Sequence, residues 1–171
     1  FEEICQVPRP SKKEEKMIAY LKAFGAKHNL ETKVDEAGNV LIKKPATPGK
    51  ENLQTVVLQS HIDMVCEKNN DVQHDFLTDP IETEIDGEWL KAKGTTLGAD
   101  NGIGVATELA ILADDSIEHG PLECLFTVDE ETGLTGAFAL QEGFMSGDIL
   151  LNLDSEDEGE IFIGCAGGND S

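Results

Sequence analysis

Cationic residues are scarce in this chain. Thirteen Lys and Arg stand against thirty-four Asp and Glu, for a formal net charge of -21 over 171 residues. Such a balance repels phosphate backbones and anionic lipid surfaces, so nucleic acid and membrane are not expected as partners. Paired cysteines are missing too. Cys5, Cys66, Cys124 and Cys165 are widely separated, with no C-x-x-C, and most lie in or beside apolar runs where cysteine acts as a small hydrophobe. A reduced, cytoplasmic protein is the simpler expectation. No apolar stretch reaches the length of a membrane span, and no signal peptide is visible. The chain opens at Phe1, so an N-terminal segment is expected to precede it. Internal repeats and low-complexity linkers are also lacking. Apolar content of 39% is ordinary for a globular chain that buries its own core.

The periodicity of what remains alternates between strand and helix. Ser11-Lys-Lys-Glu14 has the form of a capping box, and Met17, Ile18, Leu21 and Phe24 recur at helical spacing up to His28-Asn29. Two short runs, Glu31 to Val34 and Val40 to Ile42, flank Glu36-Ala-Gly-Asn39 and predict a hairpin. Leu53 to Gln59 predicts a buried strand. Ile81 to Ile85 and Glu88 to Ala92 flank Asp86-Gly87, a second hairpin signature. Helices are expected at Ile103 to Leu112 and Ala137 to Leu140. Further strands are expected at Leu122 to Val128, Ile149 to Leu153 and Ile161 to Ile163. Strands with continuously apolar interiors, alternating with helices, predict an α/β fold: a mixed, largely parallel β-sheet covered by helices on both faces.

Chemistry-bearing residues gather where apolar runs end. His61-Ile-Asp63 follows Val56-Val57-Leu58, Glu130-Glu131 follows Leu122 to Val128, and Asp154 follows Ile149 to Leu153. In open α/β sheets such strand ends collect functional groups. His61 and Asp63 fall on one side of an extended segment, a spacing that suits a metal-binding imidazole whose other N–H goes to a carboxylate. A lone histidine satisfied at a strand end is the simpler alternative for that pair taken alone. Asp100 lies in Gly98-Ala-Asp-Asn-Gly102, where glycines admit a crowded centre and a carboxylate can bridge two cations. A helix N-cap is the competing role. A dinucleotide loop is excluded, because position 107 is Thr and no apolar strand precedes. Glu130 and Glu131 are neighbours that point apart in extended chain, so one can ligate metal while the other serves as general base. An acidic, solvated strand end is the alternative. Asp154 to Gly159 mimics the start of a calcium loop, but its twelfth position is Cys165 and not a bidentate Glu. Asp157 and Glu158 read as solvated charges, and His28, His74 and His119 as surface residues.

Taken together, four motifs resemble the co-catalytic zinc exopeptidase superfamily, and within it the cytosolic aminoacyl-histidine dipeptidase branch, also called non-specific dipeptidase or peptidase D. They are Leu58-Gln-Ser-His-Ile-Asp-Met-Val65, the segment Asp86 to Gly102, Val128-Asp-Glu-Glu-Thr-Gly133, and Asn152-Leu-Asp-Ser-Glu156 with Gly164-Cys-Ala-Gly-Gly168. The resemblance implies two divalent metal ions, zinc first, with manganese or cobalt as alternatives. His61 and Asp154 would hold the first metal, Asp100 would bridge both, and Glu131 would belong to the second. Asp63 would orient His61. Glu130 would be the general base that activates a metal-bound water against the peptide carbonyl of a small dipeptide. It also implies a cis peptide bond between Asp100 and Asn101.

Members of that branch are longer. The resemblance therefore implies that residues 1–171 are the N-terminal part of a catalytic domain. A lid and dimerisation domain, the rest of the catalytic sheet and one more histidine ligand of the second metal would lie elsewhere, with the homodimer formed through the lid. The fragment alone is expected to be inactive. Two other functions compete: a deacylase or acylase of the same superfamily, and a non-catalytic acidic metal-binding module.

Overall fold

A computed structural model describes residues 1–155 and 159–164 of the chain. The expected solvated charges Asp157 and Glu158, the cysteine Cys165 and most of the Gly164–Gly168 motif lie outside the described residues.

The elements run α1 (Glu2–Cys5), α2 (Glu15–Lys27), β1 (Glu31–Val34), β2 (Val40–Lys44), β3 (Val56–His61), β4 (Thr83–Asp86), β5 (Trp89–Ala92), α3 (Ala99–Ala113), β6 (Leu122–Thr127), α4 (Thr135–Ala139) and β7 (Ile149–Asn152). Five strands form one sheet in the order β1-β2-β6-β3-β7. β1, β2 and β6 pair antiparallel, whereas β6, β3 and β7 are parallel. The mixed sheet carries helices against it, as the alternation of patterns implies.

Every residue of β6 is buried, Glu123 included, whose carboxylate is met by Lys43 at 2.6 Å. On one face Leu58, Cys124 and Phe126 pack with Met17 and Leu21 of α2 and with Val105, Leu109 and Leu112 of α3. On the other, Leu41, Val57 and Leu125 meet Leu140, Phe144 and Met145, just beyond α4. Burial of each such side chain contributes about 1.5–3 kcal/mol.

Both hairpins form. In the first, Asp35 Oδ1 accepts the N–H groups of Ala37, Gly38 and Asn39, and Gly38 takes the positive φ that closes the turn. The second, β4–β5, pairs Asp86 with Trp89 as its last register and stands as a separate two-stranded ribbon.

Four local expectations change. The capping box does not form: α2 begins after Glu14 with no side-chain cap, because Ser11 and Glu14 are engaged elsewhere. β3, expected from Leu53, starts at Val56 and carries His61 as its last residue. α3 gains a short turn from Ala99 ahead of its expected start, set off from the regular helix by the kink at non-helical Asp100 and Asn101. Ile161 to Ile163 is exposed and forms no strand.

Candidate metal centre

Parallel pairing puts the C-terminal ends of β6, β3 and β7 side by side. His61 ends β3, Asp129-Glu130-Glu131 leaves β6, and Asp154 follows β7 by two residues. The N-terminus of α3 brings Asp100 over the same edge, so all six residues singled out from the sequence meet in one cluster. His61 is 1% exposed and sits at its centre. Its Nε2 lies 2.9 Å from Asp100 Oδ1, 3.7 Å from Asp154 Oδ1 and 3.9 Å from Glu130 Oε2. Ligand atoms of His61, Asp100 and Glu131 all lie within 4.8 Å of one another. Asp100 is mostly open to solvent, at 60%, whereas Glu130 and Asp154 keep less than a third of their side chains exposed. Two clefts meet at Asp100: one runs along Ile103, Gly104 and Asp154, the other along Val65, Leu97 and Glu131.

Asp63 organises this edge. Its carboxylate is wholly buried and lies 3.3 Å from His61 Nδ1, whose nearest carbonyl is also that of Asp63 at 3.2 Å. The amides of Glu130 and Glu131 donate to its two oxygens at 3.0 and 3.2 Å, and the Ser11 hydroxyl donates at 2.7 Å. Burial works against this charge, but the hydrogen bonds outweigh it and hold the carboxyl down at about 2. His61 shows the same contest. Burial lowers it, yet hydrogen bonding to Asp63 and Asp100 raises it to about 9.

The remaining carboxylates move the other way. Burial raises Glu130, with Asp154, Glu131 and Asp63 adding repulsion against the pull of His61. Burial likewise raises Glu131, as does the nearby Asp100. Asp154 is raised by burial, against His61 and a hydrogen bond from Asn101, with Asp100 pushing it higher. Among the described residues, no lysine or arginine pairs with Asp100, Glu130, Glu131 or Asp154 within 4.0 Å. Concentrated negative charge around one imidazole, with its far nitrogen already held by a carboxylate, is a donor set suited to divalent cations.

The Asp100–Asn101 peptide bond is cis, as the resemblance implied. Asp100 does not cap α3, whose N-cap is Gly98 with positive φ. Its neighbour Asn101 was missed by sequence reasoning. Buried at 2%, Asn101 donates from Nδ2 to Asp154 Oδ1 at 2.6 Å and to the Leu153 carbonyl at 3.1 Å, tying the Asp100 loop to the end of β7. Arg9, Ser11 and Glu14 were also missed as contributors. Ser11 and Glu14 carried a local helix-start pattern that masked their long-range partners. Behind the centre, Glu14, Asp63 and Asp129 form a second acidic group, whose oxygens receive amide and hydroxyl donors.

Comparison with known proteins decides the family. The model of "Peptidase family M20/M25/M40" matches residues 57–166. The chain belongs to this peptidase family. It is 56% identical, over 99% of its length, to the cytosol non-specific dipeptidase of Escherichia coli strain K12, covering 35% of that protein. The crystal structure of aminoacylhistidine dipeptidase from Vibrio alginolyticus superposes with a TM-score of 0.93 at 58% identity, over 96% of this chain and 34% of that one. An aminopeptidase from Bacillus cereus matches with a TM-score of 0.76 at 27% identity, over 91% of this chain and 42% of its own. The chain thus spans about a third of the curated dipeptidase it matches. His61, Asp63, Asp100, Glu130, Glu131 and Asp154 all fall inside the family match, whereas Arg9, Ser11 and Glu14 lie before it.

Proposed function

We propose that residues 1–171 are the N-terminal part of the catalytic domain of a metal-dependent dipeptidase of the M20/M25/M40 family, hydrolysing small dipeptides of the aminoacyl-histidine type and others. One observation carries the reading. An imidazole clamped on Nδ1 by Asp63 turns Nε2 toward Asp100, Asp154 and Glu130 at the mouth of three parallel strands, in a chain 56% identical to a dipeptidase.

The donor set suits two divalent cations, zinc first, with manganese or cobalt as alternatives. His61 and Asp154 would hold one, Glu131 the other, and Asp100 both. Bound cations lower the pKa of water and polarise a carbonyl. This chain's residues supply the rest. Glu130, raised from its ordinary value by burial and its acidic neighbours, accepts the proton of the attacking water. The water oxygen bonds to the scissile carbonyl carbon, the C–N bond breaks, and Glu130 returns the proton to the leaving amine. Asp63 holds His61 in one tautomer, with Nδ1 bonded and Nε2 available. The lid domain, the last histidine ligand, a homodimer formed through the lid and a cytoplasmic setting belong to the same proposal.

The test uses the full-length protein. Purified enzyme with zinc or manganese should release free amino acids from a dipeptide panel and should lose that activity on chelation. Preference for N-acyl amino acids over dipeptides would assign it to a deacylase. Metal binding without hydrolysis of either would assign it to a binding module.

A further inference from the structure

We propose that the segment Arg9–Glu14 is a positioning clasp for the turn that carries Glu130, with Glu14 as its working residue. The inference rests on the assignment of Glu130 as general base. It comes from residues that precede the family match and make contacts that a helix cap would not need.

Three consecutive amides leave β6, those of Asp129, Glu130 and Glu131, and two buried carboxylates receive all of them. Glu14 Oε1 accepts from Asp129 at 3.0 Å, while Asp63 takes Glu130 and Glu131 on its two oxygens. Asp129 stands at φ +50°, a conformation uncommon for a residue with a side chain. The amide that Glu14 holds belongs to the residue at which the chain swings toward the site. Glu14 is itself fixed, being 6% exposed and accepting the Lys12 amide at 3.0 Å through the same oxygen. Ser11 meets the same turn from the other side, through Asp63.

Arg9 closes the clasp. It is 2% exposed, and its Nη1 donates to the Ile62 and Asp63 carbonyls, each at 3.0 Å. Its Nη2 donates to the Gly98 carbonyl, two residues before Asp100. The Met64 amide returns a hydrogen bond to the Arg9 carbonyl at 3.2 Å. Six residues therefore reach three of the four segments that build the centre. The side chains of Glu130 and Glu131 diverge from a backbone whose direction these bonds determine, so releasing one amide lets the base rotate away from the attacking water. Displacements on the order of 1 Å at a reacting group are enough to cost about 10²-fold in rate.

The test compares Glu14→Ala, Glu14→Gln, Ser11→Ala and Glu130→Ala in the full-length enzyme at saturating metal. It measures kcat and KM on a dipeptide, together with amide exchange across residues 128–132. Glu14→Ala should lower kcat by about 10–100-fold while KM stays within about twofold, and should speed exchange at Asp129. Glu14→Gln keeps an acceptor oxygen and should restore both readouts to near wild type. Ser11→Ala should speed exchange at Glu131 more mildly and keeps the idea testable if Glu14→Ala fails to fold. Wild-type kcat in Glu14→Ala with Glu130→Ala inactive would overturn the clasp alone. Full activity in Glu130→Ala would overturn the assignment of the base. Unchanged exchange across residues 128–132 would overturn the clasp whatever the activity.

Discussion

At the scale of single residues, the balance between Asp63 and Glu130 separates structure from chemistry. Asp63 is buried and satisfied by donors from three segments; Glu130 is partly exposed and raised by burial first and then by its acidic neighbours. Substituting each in the full-length enzyme should therefore give different signatures. Glu130→Ala should lower hydrolysis by about 10²–10⁴-fold with metal content nearly intact, the usual range for a lost general base. Asp63→Ala should weaken metal affinity and activity together, by about 10–100-fold, because the imidazole loses its orienting partner. Metal analysis beside steady-state kinetics distinguishes them, and equal metal loss in both would contradict the roles. That these acidic and imidazole groups would gather was legible in the sequence, because each follows an apolar run and such strand ends collect side chains at one edge of a sheet. Their supports were not. Ser11 reaches Asp63 across 52 positions, Asn101 reaches Asp154 across 53, and Glu14 reaches Asp129 across 115. No local pattern encodes such pairs, and the S-x-x-E spelling of Ser11 to Glu14 pointed to a nearer partner.

At the scale of elements, α3 is fastened to β3 and β6 through a buried acid. Glu108 is fully buried, accepts from the Ser60 hydroxyl at 2.7 Å and has its other oxygen without a partner among the described residues. Burial raises its pKa well above the usual value, with Ser60 and Cys124 opposing. The folded state therefore holds this proton more tightly than the unfolded chain. Its stabilising contribution is complete below the unfolded pKa, near 4.3, and is lost as pH rises through the folded pKa, at up to about 1.4 kcal/mol per pH unit. Glu108→Gln keeps the acceptor for Ser60 and removes the titration. Its melting temperature should therefore gain on wild type as pH rises from about 5 upward, and parallel curves would contradict the assignment. A second test lies one turn earlier: a Cβ at Gly104 would collide first with Asn101 Oδ1 and also meet Ser60 Cβ at 2.9 Å. Gly104→Ala should destabilise by about 1–3 kcal/mol, read by denaturant unfolding. Element types were legible where periodicity ran long, as in α2 and β6. The four-residue α1 was too short to show a period, and Ile161 to Ile163 has strand composition without a neighbour to pair with among the described residues.

At the scale of the whole molecule, the net charge of -21 and the convergence of the strand ends are two views of one design. Part of the acidity surrounds His61, where divalent cations would relieve repulsion, and part covers the surface. The α/β class and mixed sheet followed from continuous apolar strands alternating with helices. The arrangement that brings three strand ends together required the strand order, which no local signal carries. If cations bind the folded centre and not the dispersed chain, as proposed, zinc or manganese at about 100 times its dissociation constant should stabilise the protein by about 2.7 kcal/mol. Excess chelator should reverse the shift in melting temperature. Anomalous diffraction from zinc-loaded crystals of the full-length protein tests the central claim most directly. Two peaks sharing Asp100 are expected, one also touching His61 and Asp154 and the other Glu131; strong peaks that leave Asp100 and His61 untouched would overturn the proposed metal centre.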